Sequence, residues 1–296
     1  MLRIKSLPGK VLLNTLVIIP VSFMMVACTT PKQPENKTIT DKGTYYVDTA
    51  YPAKGMNDRV RFLIMHYTAL DDSVSLKTLT EEEVSAHYLV PEHPAWKNNK
   101  PVVLQLVPEE KRAWHAGVSN WHGRINLNDS SIGIEIVNPG YTLNALTNNK
   151  TWYAYNEKQV DAISVLAKDI IERYQITPDN VLGHSDIAPL RKSDPGKLFP
   201  WEKLSTRGIG AWPDAETVYK YLAGRSPDEQ GNIAEIQQAL SQYGYDKIPQ
   251  TGELDKETRE TISAFQMHFR PGNISGNADA QTEAIAKALV EKYRSS

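Results

Sequence analysis

The chain has 296 residues, of which 33 are Lys or Arg and 35 are Asp or Glu, so its formal net charge is −2. This length suits one or two domains, and a hydrophobic fraction of 41% is sufficient for a buried core. The slightly acidic balance argues against a nucleic-acid partner, because proteins that bind nucleic acids carry a strongly basic surface.

The first segment is typical of an export signal. A basic start precedes a mostly apolar run, residues 11–27, which polar residues and a proline interrupt. This run is too short and too interrupted for a transmembrane anchor. The residues from Met25 to Cys28 resemble a bacterial lipobox, in which cleavage precedes the cysteine and lipid is attached to it. We therefore expect a lipoprotein signal peptide over residues 1–27 and a lipid anchor on Cys28.

The segment behind the signal, residues 28–44, is polar and contains two prolines, as in a flexible tether. Because Cys28 is the only cysteine, the rest of the chain has no thiolate for a disulfide or a metal ligand. Any metal site must therefore use His, Asp and Glu. Without the signal, 30 basic and 35 acidic residues remain, a net charge of about −5.

The first predicted buried strand ends at a histidine. Residues Phe62 to Met65 form a continuous apolar run, which suits a strand that is buried on both faces, and His66 follows directly. A lone histidine in such a place is usually a core side chain that a backbone group satisfies. However, ligands gather at the ends of buried strands in layered α/β folds. Both interpretations of His66 stay open at this point.

A second predicted strand, Ser131 to Val137, carries the best candidate for a catalytic base. Its isoleucines share one face, whereas Gly133 and Glu135 share the other. A glycine on that face would let another group approach closely, which favours a functional role for Glu135. The simpler explanation of Glu135 is a solvated side chain at a sheet edge.

A capped amphipathic helix is predicted from Asn156 to Tyr174, and its apolar stripe indicates core packing. Downstream, residues 183–196 are polar and contain two prolines, which predicts a rigid loop suited to reactive side chains. His184 and Asp194 could face one point across this loop. Two ligands do not complete a catalytic metal site, which normally has three protein ligands and an open position.

A domain boundary is predicted near residues 224–231, which are polar and contain glycine and proline. Beyond it, helical periodicity predicts a small bundle over residues 231–293. This segment has no cluster of His, Asp and Glu at ligand spacing. The pattern therefore favours a binding or packing role for the bundle over a catalytic one.

Three ordered motifs carry a family resemblance: FLIMHYTA (62–69), SSIGIEIVN (130–138) and GHSDIAPLRKSDPG (183–196). They resemble the zinc N-acetylmuramoyl-L-alanine amidases of the second amidase family, and in particular its lipoprotein members. SAHYLVP, WHAG, LFPW and GIGAWPDA extend the likeness over about residues 45–222. Residues 231–292 resemble the peptidoglycan-binding three-helix domain through IQQALSQYGY, TGELDKET and AFQ. The segment FRPGNISGNADAQT departs from the usual last turn of that domain.

The resemblance implies a fold of the α/β class. A mixed β-sheet flanked by helices, the amidase fold, would form the catalytic domain over residues 45–223. A small C-terminal three-helix bundle, residues 231–293, would bind peptidoglycan. Because the lipid already holds the protein near the wall, we expect the bundle to act through effective concentration and not through chemistry.

The resemblance also implies the site residues. Zn²⁺ would be held by His66, His184 and Asp194, three ligands that leave a fourth position for water. Asp186 is a rival third ligand, which the motif match disfavours. Glu135 would take a proton from water and pass it to the leaving amine. Lys192 would stabilise the oxyanion of the tetrahedral intermediate.

Two further residues, Trp114 and His115, either contact the substrate or have a structural role. The resemblance implies an enzyme that hydrolyses the amide bond between N-acetylmuramic acid, or its anhydro form, and L-alanine. Its partners would be peptidoglycan, muropeptides and the membrane that holds the lipid on Cys28, with no nucleic acid, and we expect a monomer. Thr29 follows the cysteine where an aspartate would favour inner-membrane retention, so we expect the outer membrane, facing the periplasm.

Two alternatives come from other functional classes. The first is a non-catalytic peptidoglycan-binding lipoprotein on the amidase fold, a type that characteristically lacks a metal ligand. The second is a structural tether in which the lipid and the bundle carry the whole function. Neither explains why the chain retains three candidate ligands together with Glu135 and Lys192.

Overall fold

The computed structural model describes residues 38–295. The predicted signal peptide and Cys28 lie outside these residues. Within them, no helix is both long enough and apolar enough to cross a membrane. The described residues fall into two units, residues 38–56 and residues 57–295.

The described part of the first unit is an antiparallel hairpin of β1 (Ile39–Asp41) and β2 (Tyr46–Asp48). Its side chains are largely exposed, with the ring of Tyr46 at 70%. Two three-residue strands bury too little apolar surface to be stable on their own, so backbone pairing and the turn define this element.

The second unit contains eleven strands and eight helices among the described residues. Its strands, in chain order, are β3 (Phe62–Tyr67), β4 (Tyr88–Val90), β5 (Trp96–Lys97), β6 (Lys100–Pro101), β7 (Leu104–Gln105), β8 (Asn120–Trp121), β9 (Arg124–Ile125), β10 (Ser131–Ile136), β11 (Tyr141–Leu143), β12 (Lys150–Trp152) and β13 (Val181–Gly183). Its helices are α1 (Asp72–Leu79), α2 (Glu157–Tyr174), α3 (His184–Ile187), α4 (Trp201–Ser205), α5 (Ala215–Leu222), α6 (Ile233–Tyr243), α7 (Lys256–Phe269) and α8 (Ala280–Arg294). Short 3₁₀ turns cover Leu127–Ser130 and Pro178–Asn180.

The central sheet has the strand order β13-β3-β10-β4-β7. The first four strands are parallel, and only β7 is antiparallel to its neighbour, so the predicted mixed sheet is confirmed. Residues 62–65 are buried on both faces, as their continuous apolar run predicted. The predicted helix is also confirmed: Asn156 caps α2 and forms a capping box with Gln159. The apolar stripe of α2 packs on the sheet.

The register of the parallel strands aligns their carboxyl ends. Glu135 of β10 lies opposite His66 of β3, and Gly183 of β13 lies opposite Met65. Because α3 begins at His184, directly after β13, that histidine emerges beside His66. The sheet therefore brings three of the predicted site residues to one edge.

The three-helix C-terminal bundle of α6, α7 and α8 is present, but it is not separate from the part of the chain that forms the central sheet. One hydrophobic core runs from the sheet into the bundle and includes Phe62, Ile64, Leu182, Leu240, Phe265 and Leu289. Trp121 is fully buried at this junction, where its ring meets Tyr243 and Tyr245 edge-on at 5.6 and 4.9 Å. The bundle therefore shares a hydrophobic core with the central sheet, which periodicity alone did not predict.

Candidate metal centre

Three buried side chains converge at the carboxyl edge of the sheet. His66 Nδ1 lies 3.0 Å from His184 Nδ1 and 2.9 Å from Asp194 Oδ2. His184 Nδ1 lies 3.0 Å from the same carboxylate oxygen. These three atoms form a nearly equilateral triangle. Tetrahedral zinc, with bonds of about 2.0–2.1 Å to nitrogen and oxygen, accepts this donor set at a similar spacing.

The protonation of this cluster suits a cation. Burial, together with the neighbouring His184, lowers the pKa of His66 to about 4. Burial alone would raise the pKa of Asp194, but the two imidazoles outweigh it and hold that pKa well below its usual range. At neutral pH the cluster therefore presents a neutral imidazole and a carboxylate, the forms in which these side chains bind metals.

The orientation of His184 is fixed from behind. Its Nε2 lies 3.1 Å from the carbonyl oxygen of Ala116, which can only accept a hydrogen bond. A proton on Nε2 satisfies this carbonyl and leaves the Nδ1 lone pair available to a metal ion. A backbone carbonyl behind a histidine ligand is a common device for selecting its tautomer.

The orientation of His66 depends on a longer chain of hydrogen bonds. Ser131 Oγ donates to the carbonyl of Leu127 at 2.7 Å, so it must accept from His115 Nε2 at 3.1 Å. His115 Nδ1 is then the acceptor for His66 Nε2 at 3.0 Å. This leaves the lone pair of His66 on Nδ1, the atom that faces the cluster. His115 therefore supports a candidate ligand, and it also lines the cavity in front of the cluster.

The close approach that Gly133 was expected to permit is made by His115. A β-carbon at position 133 would lie 2.5 Å from Cγ of that imidazole, so only glycine leaves room for the ring. His87 holds the backbone of Gly133, because its Nδ1 accepts a hydrogen bond from the Gly133 amide at 3.0 Å. Sequence reasoning missed the role of Ser131 in this chain, since nothing local distinguishes it from other strand serines.

An open cavity of about 320 Å³ lies in front of the cluster. It is lined by Glu135 and Lys192 together with Trp114, whose ring is 45% exposed and lies beneath the Arg112 guanidinium. Burial, reinforced by repulsion from Asp194, raises the pKa of Glu135 to about 8. Its buried Oε2 has no hydrogen-bond partner within residues 38–295, so this oxygen is available to another molecule.

Asp186, the rival third ligand, does not join the cluster. Its carboxylate accepts hydrogen bonds from Gly183, Tyr245 and His268 and is 2% exposed. The group of His66, His184 and Asp194 therefore uses the aspartate that the motif favoured.

Comparisons with known proteins agree with this site. A family model for N-acetylmuramoyl-L-alanine amidases matches residues 56–197, and one for peptidoglycan-binding domains matches residues 229–285. The chain is 51% identical over 257 residues to the N-acetylmuramoyl-L-alanine amidase AmiD of Escherichia coli (strain K12), which covers 87% of this chain and 92% of that protein.

Solved structures show the same relationship. The E. coli AmiD complex with the substrate anhydro-N-acetylmuramic acid-L-Ala-D-gamma-Glu-L-Lys gives a TM-score of 0.82 at 50% identity, covering 87% of this chain and 98% of that one. The structure of Pseudomonas aeruginosa AmpDh3 in complex with anhydromuramic pentapeptide gives a TM-score of 0.74 at 44% identity, covering 86% of this chain and 98% of that one.

The contact between Gly133 and His115 can be tested by Gly133→Ala. The added methyl should displace the imidazole and remove the acceptor of His66, so zinc affinity should fall by about 10- to 100-fold. Zinc dissociation constants would be measured by competition with a chromophoric chelator. Gly272→Ala is the matched control, because a β-carbon there meets nothing within 4 Å. A folded Gly133→Ala protein that binds zinc as tightly as its parent would contradict the support assigned to His115.

Proposed function

The chain belongs to the family of N-acetylmuramoyl-L-alanine amidases, and from this membership we propose how its own residues carry out the hydrolysis. It is a zinc-dependent hydrolase of peptidoglycan, and it cleaves the amide bond between N-acetylmuramic acid, or its anhydro form, and L-alanine. The observation that carries the mechanism is the buried triangle of His66, His184 and Asp194 beside Glu135 in the open cavity.

The triangle is the proposed zinc site, with Nδ1 of each imidazole and Oδ2 of Asp194 as the ligand atoms. When bound, zinc polarises the scissile carbonyl and lowers the pKa of water toward neutrality. The hydrogen bonds behind the two histidines support this assignment, because they hold both ligand lone pairs toward one point.

Glu135 is the proposed general base and acid. It takes a proton from the attacking water while the water oxygen bonds to the carbonyl carbon of the muramoyl lactyl group. It then gives that proton to the L-alanine nitrogen as the carbon–nitrogen bond breaks, so its own protonation is restored. Burial raises the pKa of Glu135 above that of a free carboxylate, which makes the ionised group a stronger base toward water.

Lys192 is the proposed stabiliser of the oxyanion. It lines the same cavity, and its positive charge opposes the rise in the pKa of Glu135 and helps to lower that of His66. A cation so close to both groups can also meet the negative charge that develops on the carbonyl oxygen. The alternative of a non-catalytic receptor does not account for a retained ligand set, base and cation in one cavity.

The domain organisation follows from the same assignment. We propose a catalytic domain over residues 45–223 and a peptidoglycan-binding domain over residues 231–293, in a protein that acts as a monomer. Peptidoglycan lies in the periplasm, where this enzyme acts. The lipobox-like sequence supports a signal peptide over residues 1–27, a lipid on Cys28 and a tether over residues 28–44. Thr29 supports sorting to the outer membrane.

Replacement of the base gives the sharpest test of the chemistry. Glu135→Gln keeps the shape of the side chain but cannot accept the proton, so hydrolysis of soluble muropeptides should fall by about 10²- to 10⁴-fold. Zinc content should remain that of the parent, because Glu135 is not a ligand. Glu110→Gln, on an exposed glutamate, serves as the control and should leave both properties unchanged. Loss of zinc, or a rate within a few-fold of the parent, would refute the role.

The lipid anchor is tested by Cys28→Ser. Metabolic labelling with a fatty acid should mark the parent but not the variant, because serine offers no thiol for lipid attachment. In the same cells, Thr29→Asp should keep the label and move the protein from the outer to the inner membrane. Labelling of Cys28→Ser would refute the anchor, and parent protein in the inner membrane would refute the proposed sorting.

A further inference from the structure

Asp186 connects the C-terminal bundle to the metal centre. It lies two residues after His184 in the single turn of α3, and its carboxylate receives three hydrogen bonds. The amide of Gly183 donates to Oδ2 at 2.7 Å from within the same turn. The other two donors come from the bundle: Tyr245 donates to Oδ1 at 2.6 Å, and His268 Nδ1 donates to Oδ2 at 2.8 Å.

The two bundle donors are held rigidly by aromatic packing. The ring of Tyr245 lies edge-on to Trp121 and to Phe265, with centroids 4.9 and 6.0 Å away. The imidazole of His268 is stacked between Trp201 and Phe269, each at 3.9 Å and nearly parallel. Packed rings of this kind occupy one rotamer. Two donors of fixed orientation therefore hold the carboxylate of Asp186 in one position.

The position of α3 also determines the positions of two of the three candidate ligands, His184 and Asp194. His184 is its first residue, and the amide of Ser185 donates to the carbonyl of Asp194 at 2.8 Å. A β-carbon on Gly183 would lie 2.7 Å from Pro195, so the two ends of the loop are also in close contact. Any displacement of Asp186 would therefore reach His184 through the chain and Asp194 through the Ser185 amide.

A buried carboxylate is costly unless its lone pairs are satisfied. The catalytic part supplies one donor, and the bundle supplies the other two. A bundle that served only to hold the polymer would need no buried polar contact with the loop that carries the ligands. Its position at this carboxylate indicates a second task.

We propose that the C-terminal bundle is a structural part of the metal centre, in which Tyr245 and His268 are positioning residues that act through Asp186 on His184 and Asp194. This inference rests on the proposed function in one respect, the assignment of those two residues as zinc ligands. It gives the bundle a role in metal binding that is separate from binding peptidoglycan.

The chain offers a matched pair of tyrosines for the test. Tyr243 lies in the same aromatic cluster, with its ring 5.6 Å from Trp121, and is fully buried. Among residues 38–295 its hydroxyl has no hydrogen-bond partner, whereas that of Tyr245 is bonded to Asp186. Tyr245→Phe and Tyr243→Phe thus each remove one buried hydroxyl, but only Tyr245→Phe removes a hydrogen bond to Asp186.

In the full chain, Tyr245→Phe should raise the zinc dissociation constant by about 10-fold, the lower end of the range for groups that orient metal ligands. The absorption spectrum of its cobalt-substituted form should also shift. On soluble muropeptides kcat should fall with little change in KM. Tyr243→Phe should match the parent in all three measurements.

A second pair guards against variants that merely lose stability. His268→Asn keeps a nitrogen donor near Asp186 but loses the ring stack, whereas His268→Phe keeps a stacked ring but loses the donor. Zinc affinity should be higher in His268→Asn, which keeps the donor. The melting temperature should be higher in His268→Phe, which keeps the stacked ring. If zinc affinity follows the ring, or if Tyr245→Phe binds zinc and cobalt as Tyr243→Phe does, the bundle has no positioning role. Zinc binding by the parent tests the proposed function separately.

Discussion

The constraint on which the rest of the molecule depends is the parallel alignment of β13, β3 and β10. Backbone pairing places Glu135 opposite His66 and starts α3 one residue beyond β13. Since parallel strands end at the same edge of a sheet, Glu135, the imidazole of His66 and the loop that begins at His184 meet there without further adjustment. The side chains of β3 are buried on both faces, which suits a strand that lies between two parallel neighbours in the sheet.

The burial of the Asp194 charge explains why hydrogen bonds hold the two histidines on the side away from the cluster. Asp194 stays ionised in a buried position because two imidazoles outweigh its desolvation. The hydrogen bonds behind His66 and His184 turn Nδ1 of each ring toward the same point, so the cluster combines one carboxylate with two nitrogen donors and favours a cation. Hydrogen bonds maintain this arrangement. The Ala116 carbonyl holds His184, and a series of hydrogen bonds that links Leu127, Ser131 and His115 holds His66. The conformational entropy that these contacts cost is lost during folding.

Local sequence pattern predicted the elements that depend on local physics. The apolar run before His66, the alternation around Glu135 and the cap at Asn156 each specify a strand or helix on their own. The glycine in β10 correctly indicated a close approach, but the approaching group, His115, comes from a loop and could not be identified from spacing. Asp186 illustrates the same limit, because sequence places its carboxylate near His184 but does not say which way it points.

Local sequence pattern also did not predict how the bundle packs against the central sheet. Trp121 lies among polar residues and carries no periodic signal, yet it is fully buried against Tyr243 and Tyr245. Helical periodicity identified α6, α7 and α8 as a bundle but said nothing of the surface that they cover. Shared burial of this kind depends on tertiary packing between segments more than a hundred residues apart.

We propose that the sheet and the loop of residues 183–196 present two imidazoles and one carboxylate to a single zinc ion. X-ray absorption at the zinc edge, on purified full-length protein of known metal content, tests it most directly. We expect one zinc per chain, a shell of nitrogen and oxygen donors without sulfur, and outer-shell scattering from two imidazoles. A shell with three imidazoles, which would add His115 as a ligand, or a protein that retains no zinc, would contradict it.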